Sequence, residues 1–219
     1  MLKNKYFEND SNARVEILYG CPVLFFENAF KLSQKDLDFL KNIEYQKSNT
    51  EYQEKLVQVS KSQNVLDDYI PLLDVRDKIN EYACKYIDEL ICVDNEFDIV
   101  QSWVSKTEPG ANHHHHHHKG AMFSLVYYAQ ADNSKIIFSS RENFLSKNFN
   151  FDYNITQYNT LNSEQIWYTP KTGDILIFPG YIMHNAENLD NKTKYILGAN
   201  YFIRGDIGNY DNTTLVKNV

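Results

Sequence analysis

Six consecutive histidines, His113–His118, stand in the middle of this 219-residue chain, within the stretch GANHHHHHHKGAMFS. Imidazole nitrogens bind zinc, copper, iron and nickel, so a cluster of histidines predicts metal binding. Apart from this run the chain has one histidine, His184, which follows the strand-like stretch GDILIFPG. The letters alone leave two interpretations open. The run is an engineered or incidental loop, or part of it belongs to a built metal site.

Alternation along an extended chain indicates which histidines can act together. Successive side chains of a strand point to opposite faces, so residues two apart share a face. If the stretch AMFSLVYY extends backward as one strand, His114, His116 and His118 lie on one face. Ser124 and Tyr128 then lie on that same face. Two of these histidines, spaced i and i+2, can converge on one metal ion.

His184 and a later lysine can complete such a site. A histidine that follows a strand and a Pro–Gly turn lies at the rim of a sheet. If His184 lies on a strand that faces the run, it would complete a facial set of three metal ligands. An ordinary hydrogen-bonded core histidine is the alternative. Lys194 begins the stretch KYILGANYF, ten residues after His184. Its charge can pair with an anionic cosubstrate, and a solvated lysine at a strand entrance is the alternative.

The elements that would position these residues are mostly strands. After residue 96 the chain contains six stretches rich in β-branched and aromatic residues, separated by turn signals. They read FDIVQSWVS, AMFSLVYYAQA, SKIIFSS, QIWYT, GDILIFPG and KYILGANYFIRG. We therefore expect a mainly β fold, either a sandwich or a jelly roll.

The N-terminal half predicts helices that pack on one sheet of this fold. Ser33 is a good N-cap for a helix over LSQKDLDFLKNIEY, with Asp36 three residues later. The stretch IPLLDVRDKINEYACKYIDELICVD predicts a second helix with one apolar face. Its members are Val75, Ile79, Tyr82, Tyr86, Ile87 and Leu90. We expect Cys84 and Cys92 in the same segment to be small core residues, and two short strands in ARVEILYGCPVLFFENAF.

Composition narrows the class of protein. The net charge is −7 and the basic residues are dispersed, so no stripe suited to a nucleic-acid backbone is evident. Three unpaired cysteines fit a reducing compartment. No signal peptide is recognisable, and no apolar run approaches the ~20 residues that span a bilayer. We expect a cytoplasmic protein without a membrane partner, in the host cytoplasm if it is viral.

Domain organisation follows from the absence of repeats and linkers. Without either, the 219 residues are expected to form one domain. Within it, residues 1–95 are an N-terminal elaboration, 96–205 the jelly-roll core and 206–219 a tail. Residues 139–164 are long and polar, which suggests a lid or a substrate-selecting loop. The oligomeric state and the primary substrate, whether small molecule, nucleotide or protein side chain, are not readable.

Four stretches in this order resemble the 2-oxoglutarate/Fe(II)-dependent oxygenase superfamily, most closely its small members frequent in bacteriophages and marine bacteria. They read SWVSKTEPG, HHHKGAMFSLVYY, PKTGDILIFPGYIMHN and KYILGAN. The family pattern runs S-W, P-G, H-x-H, S-G-V-Y-Y, F-P, a histidine, a basic residue and an asparagine. The resemblance covers roughly residues 97–205, and linked motifs in order are more specific than any one alone. It implies that the mainly β fold is a double-stranded β-helix, a jelly roll of the cupin-like type.

The register of this resemblance selects individual residues. In the family, H-x-H precedes the serine by eight and six residues, which corresponds here to His116 and His118. His184 matches the distal histidine, and these three are implied to hold Fe(II). Lys194 matches the basic residue that binds the C5 carboxylate of 2-oxoglutarate. His117 is then expected on the opposite face, with the histidines before His116 as bystanders at the cavity mouth.

The reaction implied by the resemblance couples two oxidations. O₂ is consumed, 2-oxoglutarate is decarboxylated to succinate, and a C–H bond of a second substrate is hydroxylated. We expect Ser124 and Tyr128 to contact the cosubstrate, with core packing as the alternative for Tyr128. The superfamily at large has a carboxylate where His118 stands, and usually arginine where Lys194 stands. Three protein ligands would still leave three coordination positions, two for 2-oxoglutarate and one for O₂.

Two other functions stay open at this point. One is a cupin-type dioxygenase that uses three histidines and no 2-oxoglutarate. The other is a non-catalytic phage jelly roll with a binding role, in which the histidine run merely captures metal. The role of Lys194 separates the first alternative from the oxygenase, and the role of His184 separates the second.

Overall fold

The computed structural model describes residues 20–48, 56–140 and 152–208. Within these ranges the helical elements are α1 (Gln34–Asn42), α2 (Val65–Asp68), a 3-10 turn (Ile70–Leu72), α3 (Leu73–Lys85) and a π-helical turn (Tyr86–Ile91). The strands are β1 (Leu24–Phe26), β2 (Tyr45–Lys47), β3 (Val57–Ser60), β4 (Phe97–Thr107), β5 (Asn112–His116), β6 (Phe123–Gln130), β7 (Ser134–Ser139), β8 (Gln165–Tyr168), β9 (Ile175–Pro179), β10 (His184–Asn188) and β11 (Lys194–Ile203).

The strands form two antiparallel sheets that face each other. The large sheet has the order β1-β9-β6-β11-β4-β3-β2, and the small sheet has the order β5-β10-β7-β8. Several neighbouring strands are far apart in sequence, as in β11 between β4 and β6. This is the jelly-roll architecture that the strand-rich second half predicts, and the mainly β fold class is confirmed.

Strand β6 shows how the large sheet is buried on both faces. Phe123, Leu125 and Tyr127 pack into the cluster that also contains the helices. The alternate residues Val126 and Tyr128 pack into a second cluster that includes Phe138 of the small sheet. Because one face of β6 meets the helices and the other meets the small sheet, its side chains are almost all buried. Ser124, two residues before Val126, is thereby held between the sheets.

The helices cover the outer face of the large sheet, as expected. α1 begins after Ser33, whose hydroxyl accepts a hydrogen bond from the backbone N–H of Asp36 at 3.1 Å. Val75 and Ile79 of α3 belong to the same apolar cluster as the large sheet. Since α3 continues into a π-helical turn, the helical spacing changes after residue 85. Leu90, which strict helical spacing places on the apolar face, is therefore exposed.

The prediction that Cys84 and Cys92 lie in the core is wrong. Both are exposed, as is Cys21, and all three are free thiols. Cys84 follows the buried Ala83 and so faces away from the sheet, because consecutive helical residues are rotated by about 100°. Cys92 ends the π-helical turn in a left-handed conformation with φ of 59°.

The histidine run does not continue backward from β6, so the single-strand interpretation is wrong. β5 ends at His116, and the chain then turns through Gly120, where φ is 82°, before β6 begins in the other sheet. The turn is closed by the backbone N–H of Ala121, which donates to the carbonyl of His118 at 3.2 Å. Positive φ at Gly120 suits glycine, and a side chain there would be strained.

Gly198 of β11 makes room for the ring of Trp103 on β4. A Cβ at position 198 would lie 2.6 Å from Cε2 of Trp103, far inside van der Waals contact. We expect Gly198→Ala to lower the free energy of unfolding by about 1–3 kcal/mol through overpacking. Denaturant unfolding measures this, and adding Trp103→Phe should recover part of the loss. Equal stability of Gly198→Ala and the unsubstituted protein would contradict the close packing.

Some expectations fall outside the described residues. The first strand expected in ARVEILYG lies there, as do residues 141–151 of the suggested lid and 209–219 of the expected tail. Among the residues that the structure describes, no helix has the length and apolar character needed to cross a bilayer.

Candidate metal centre and cosubstrate site

Three histidines converge where β5, β10 and the turn after β5 meet. His116 and His184 are directly paired across the antiparallel β5–β10 ladder, so His184 comes from a neighbouring strand and not from a facing one. The ring centroid of His184 lies 4.3 Å from that of His116 and 5.0 Å from that of His118. One ligand nitrogen from each lies within 4.8 Å of the other two. We call His116, His118 and His184 the inner set.

Hydrogen bonds of the Nδ1 atoms leave all three Nε2 atoms available. Nδ1 of His116 is 2.8 Å from the carbonyl oxygen of His114, and Nδ1 of His184 is 3.0 Å from that of Ile182. A carbonyl oxygen only accepts, so each of these Nδ1 atoms carries the proton and donates. Nε2 then bears the free lone pair that a metal ligand needs.

His118 reaches the same state through a chain of side chains. Its Nδ1 hydrogen-bonds to Ser124 Oγ, which donates to Oδ1 of Asn200 at 2.7 Å. Asn200 Nδ2 donates to Oε1 of Gln101 at 2.8 Å, and Gln101 Nε2 donates to Oε1 of Gln63 at 3.0 Å. Because the one hydroxyl proton of Ser124 goes to Asn200, Nδ1 of His118 must be the donor to Ser124.

The last link of this chain fixes its direction. Nε2 of Gln63 donates at 2.9 Å to the backbone carbonyl of Ser60, which only accepts. Each amide therefore has one orientation, and the chain from β3 to the turn after β5 orients the ring of His118. Sequence analysis did not select Gln63 or Gln101. Asn200 closes the stretch KYILGAN, and alternation on β4 places Gln101 beside Trp103 on the inner face, but no pattern links Gln63 to them.

Removal of the Ser124 hydroxyl should loosen this ligand without removing it. We expect Ser124→Ala to weaken Fe(II) binding by about 10–100-fold, as loss of an outer-shell partner does at other metal sites. Isothermal titration with Fe(II) under anaerobic conditions measures the change. Ser105→Ala, which changes another buried serine of the large sheet, is the matched control. Unchanged affinity in Ser124→Ala would show that Ser124 does not orient His118.

Burial keeps the inner set neutral and ready to bind a cation. Desolvation, with a smaller contribution from the neighbouring histidines, lowers the pKa of His184 to about 3 and that of His118 to about 4. Desolvation also lowers the pKa of His116. All three imidazoles are thus uncharged at neutral pH, as metal ligation requires.

The same pKa shifts predict acid sensitivity of the metal-free protein. In the unfolded chain these histidines have a pKa of about 6.5, so the unfolded state binds protons before the folded state as the pH falls. The free energy of unfolding is therefore unaffected by protonation of these histidines above that pH. Below it, the free energy of unfolding falls by up to about 1.4 kcal/mol per pH unit for each histidine. Denaturant unfolding at pH 7 and pH 5 tests this above the range in which carboxylates titrate. The difference in free energy of unfolding between pH 7 and pH 5 should be smaller in His184→Gln. Equal stability of the unsubstituted protein at both pH values would contradict the account.

Lys194 is a buried cation that forms no salt bridge among the described residues. Its side chain is 3% exposed, and Nζ donates one hydrogen bond to the backbone carbonyl of Glu187 at 3.1 Å. Desolvation lowers its pKa to about 8, and the charge of Glu187 opposes part of that shift. A buried ammonium is costly unless an anion pairs with it. Lys194 is thus suited to a carboxylate, and it also acts electrostatically on His113 near the inner set.

The two other predicted cosubstrate contacts lie in different surroundings. Tyr128 is 3% exposed on the inner face of β6, and burial raises the pKa of its phenol. Ser124, which is fully buried, contacts His118 and Asn200. The structure brings both onto the metal side of β6, as alternation predicts. Their contact with 2-oxoglutarate stays a prediction.

A cavity of about 490 Å³ opens beside the inner set. Among the described residues, its lining contains carboxamides, two lysines, an indole and five histidines of the run, and no carboxylate. The carboxamides and lysines are Gln46, Gln63, Gln101, Asn200, Lys47 and Lys119. His117 lines this cavity together with His116 and His118, so the expectation that it faces away is wrong. The cause is the end of β5 at His116, after which strand alternation no longer applies.

Fold and site together give a jelly roll with three converging histidines, which form a candidate metal centre, and a buried cation. Residues 101–196 match the family model described as "Putative 2OG-Fe(II) oxygenase". The matched segment runs from β4 to the start of β11 and contains the inner set and Lys194. Over this segment the match agrees with the resemblance to the 2-oxoglutarate/Fe(II)-dependent oxygenase superfamily. The match and the site geometry together indicate a 2-oxoglutarate-dependent oxygenase with Fe(II) as its metal and O₂ as its oxidant.

Solved structures share the fold at low sequence identity. An oxidoreductase of the 2OG-Fe(II) oxygenase family from Burkholderia pseudomallei is 8% identical, with 82% of this chain and 83% of that chain covered and a TM-score of 0.55. A Pseudomonas putida prolyl-4-hydroxylase is 12% identical over 84% and 94% of the two chains, with a TM-score of 0.54.

A third neighbour was solved with ligands. HygX from Streptomyces hygroscopicus, with nickel and 2-oxoglutarate bound, is 10% identical over 83% of this chain and 82% of that chain, with a TM-score of 0.54. These neighbours support the fold. A comparison with curated protein sequences found no match.

Proposed function

We propose that the protein is a hydroxylase in which the inner set holds Fe(II) and Lys194 binds the C5 carboxylate of 2-oxoglutarate. The observation that carries this proposal is the convergence of three neutral histidines whose Nε2 atoms are all free. When bound, the iron supplies the activation of O₂. The protein supplies three ligands, orients them through their Nδ1 hydrogen bonds, and leaves the remaining coordination positions open.

Lys194 and Tyr128 support a cosubstrate site between the sheets. The ammonium of Lys194 uses one of its three donors on Glu187 and has no carboxylate partner in the described part of the chain. Tyr128 lies on the inner face of β6, on the same face of the strand as Ser124. Burial raises the pKa of its phenol, which therefore stays protonated. A dianion between them and the inner set would offset both the lysine charge and the double charge of the iron.

The cavity beside the inner set supports a separate place for the primary substrate. It is lined by His116 and His118 but not by Lys194, so it lies apart from the proposed cosubstrate site. Its volume of about 490 Å³ is within the range of about 300–1,000 Å³ typical of small-ligand pockets. The carboxamides and lysines of the lining favour a substrate that carries polar groups.

The proposal also includes the domain boundaries and the cellular compartment of the protein. Residues 96–205 would be the catalytic core of one domain, with residues 1–95 as an elaboration that braces the large sheet and 206–219 as a tail. Three free, exposed cysteines support a reducing compartment such as the cytoplasm. A bacteriophage origin would make this the host cytoplasm, and it rests on the resemblance alone.

Succinate formation tests the proposed reaction. The protein is supplied with Fe(II), 2-oxoglutarate and O₂, first alone and then with a panel of polar and anionic candidate substrates. We expect slow succinate release without substrate and faster release with a substrate that fits the cavity. Succinate at background level across a broad panel, from folded and iron-loaded protein, would count against the proposal.

A further inference from the structure

Two more histidines of the run lie against His116. The ring centroid of His116 is 4.6 Å from that of His113 and 5.0 Å from that of His114. The rings of His113 and His114 are themselves 4.8 Å apart. One ligand nitrogen from each of the three lies within 4.8 Å of the other two. We call His113, His114 and His116 the outer set, and it shares one residue with the inner set.

The shared residue makes the two sets mutually exclusive. Nδ1 of His116 donates to the carbonyl of His114, so Nε2 is the atom left for a metal. Both sets need this one nitrogen, and a lone pair binds one ion at a time. A metal ion can therefore be held by the complete inner set or by the complete outer set, but two ions cannot fill both.

The two sets differ in access to solvent. His114 is exposed and His113 is partly buried, whereas His118 and His184 are buried. An ion arriving from solution meets the outer set first. Moving from one set to the other requires two imidazole nitrogens to leave and two others to replace them, with no change of oxidation state. Because His116 can stay bound throughout, the ion never has to return to water.

We propose that the outer set is a divalent-metal site that receives Fe(II) from solution and transfers it to the inner set. Imidazole suits Fe(II) and also Co(II), Ni(II) and Zn(II), so the outer set takes ions of this class. The transfer rests on the proposed role of the inner set, whereas binding at the outer set does not. This gives His113 and His114 a function that the match to the family pattern does not require.

Binding at the outer set is tested after the inner set is broken. In His118→Ala/His184→Ala, Co(II) titrated by calorimetry should still bind with one ion per chain. Adding His114→Ala should weaken that binding by at least about tenfold through loss of a direct ligand. Adding His115→Ala is the matched control, because His115 is an exposed neighbour that belongs to neither set. Equal losses from the two additions would show an undifferentiated run and overturn the proposal.

Transfer is tested in the protein with both sets intact. Stopped-flow mixing with Co(II) should show slower loading of the inner set in His114→Ala, with its equilibrium affinity unchanged. His115→Ala should load at the unsubstituted rate. Equal rates in the two variants would overturn the transfer. These variants change exposed side chains, so folding is preserved and can be verified by circular dichroism.

The two proposals fail in different ways. If the inner set is not the iron site, His118→Ala/His184→Ala will bind Co(II) as tightly as the unsubstituted protein. If the outer set is not a site, the inner-set affinity remains and only the His114→Ala effects disappear. The first result contradicts the proposed function, and the second contradicts the inference drawn here.

Discussion

Replacing His184 by alanine is expected to abolish tight Fe(II) binding and, with it, succinate formation. His184 is 4% exposed and is the one member of the inner set that lies outside the histidine run. His184→Ala removes a direct ligand. The loss of Fe(II) affinity should therefore exceed the factor of about 10–100 that follows removal of a hydrogen-bond partner of a ligand. Anaerobic Fe(II) titration and succinate release measure the two consequences.

The matched control for this prediction is His115→Ala, which removes a histidine of the run and leaves the inner set intact. It should keep both tight iron binding and turnover. Bulk metal content is not a sufficient measurement, because six imidazoles of the run remain in His184→Ala and five in His115→Ala, and these bind divalent ions in either variant. If His184→Ala kept tight iron binding while removal of the run abolished it, the protein would be a jelly roll with an incidental metal-binding loop.

Replacing Lys194 by alanine is expected to abolish useful 2-oxoglutarate binding while iron binding stays. Truncating one partner of a buried charge pair costs about 2–5 kcal/mol, or about 30-fold to several thousand-fold in affinity. Calorimetric titration of the iron-loaded variant with 2-oxoglutarate measures this. Lys194→Arg should retain part of the affinity, because the charge remains although its geometry changes.

The pH dependence of the same binding gives a second readout. Burial lowers the pKa of Lys194 to about 8. The cation is the form that binds a carboxylate, so affinity should be greatest below that pH and fall above it. Glu187 and His113 are the titratable neighbours, and burial lowers the pKa of His113 so that its imidazole stays neutral over this interval. A cupin-type dioxygenase without 2-oxoglutarate would show neither the Lys194→Ala effect nor this pH dependence in its turnover.

Much of the fold was predictable because its elements are local patterns. The continuous β-branched and aromatic stretches of β6 and β9 and the apolar stripe of α3 follow directly from residue order. The exposed positions of Cys84 and Leu90 were not predictable in this way. Leu90 depends on a π-helical turn, and such turns are set by tertiary packing and leave no clear sequence pattern.

The site shows the same division between local and long-range information. The spacing before Ser124, read in the register of the family resemblance, selected His116 and His118, whereas strand alternation did not. Strand β5 ends at His116, within the run, and the chain then turns toward the other sheet. Because the residues of the run are identical, the sequence does not show where the strand ends. Gln63 joins the ligand chain only because β3 pairs with β4, a long-range contact that no short motif encodes.

The central claim is that the inner set and Lys194 form one site for Fe(II) and 2-oxoglutarate. A crystal structure of the protein grown anaerobically with one equivalent of Fe(II) and with 2-oxoglutarate tests it most directly. The account predicts iron on Nε2 of His116, His118 and His184, and the far carboxylate of 2-oxoglutarate on Nζ of Lys194. Iron held only by the exposed part of the run, or 2-oxoglutarate bound away from Lys194, would contradict it.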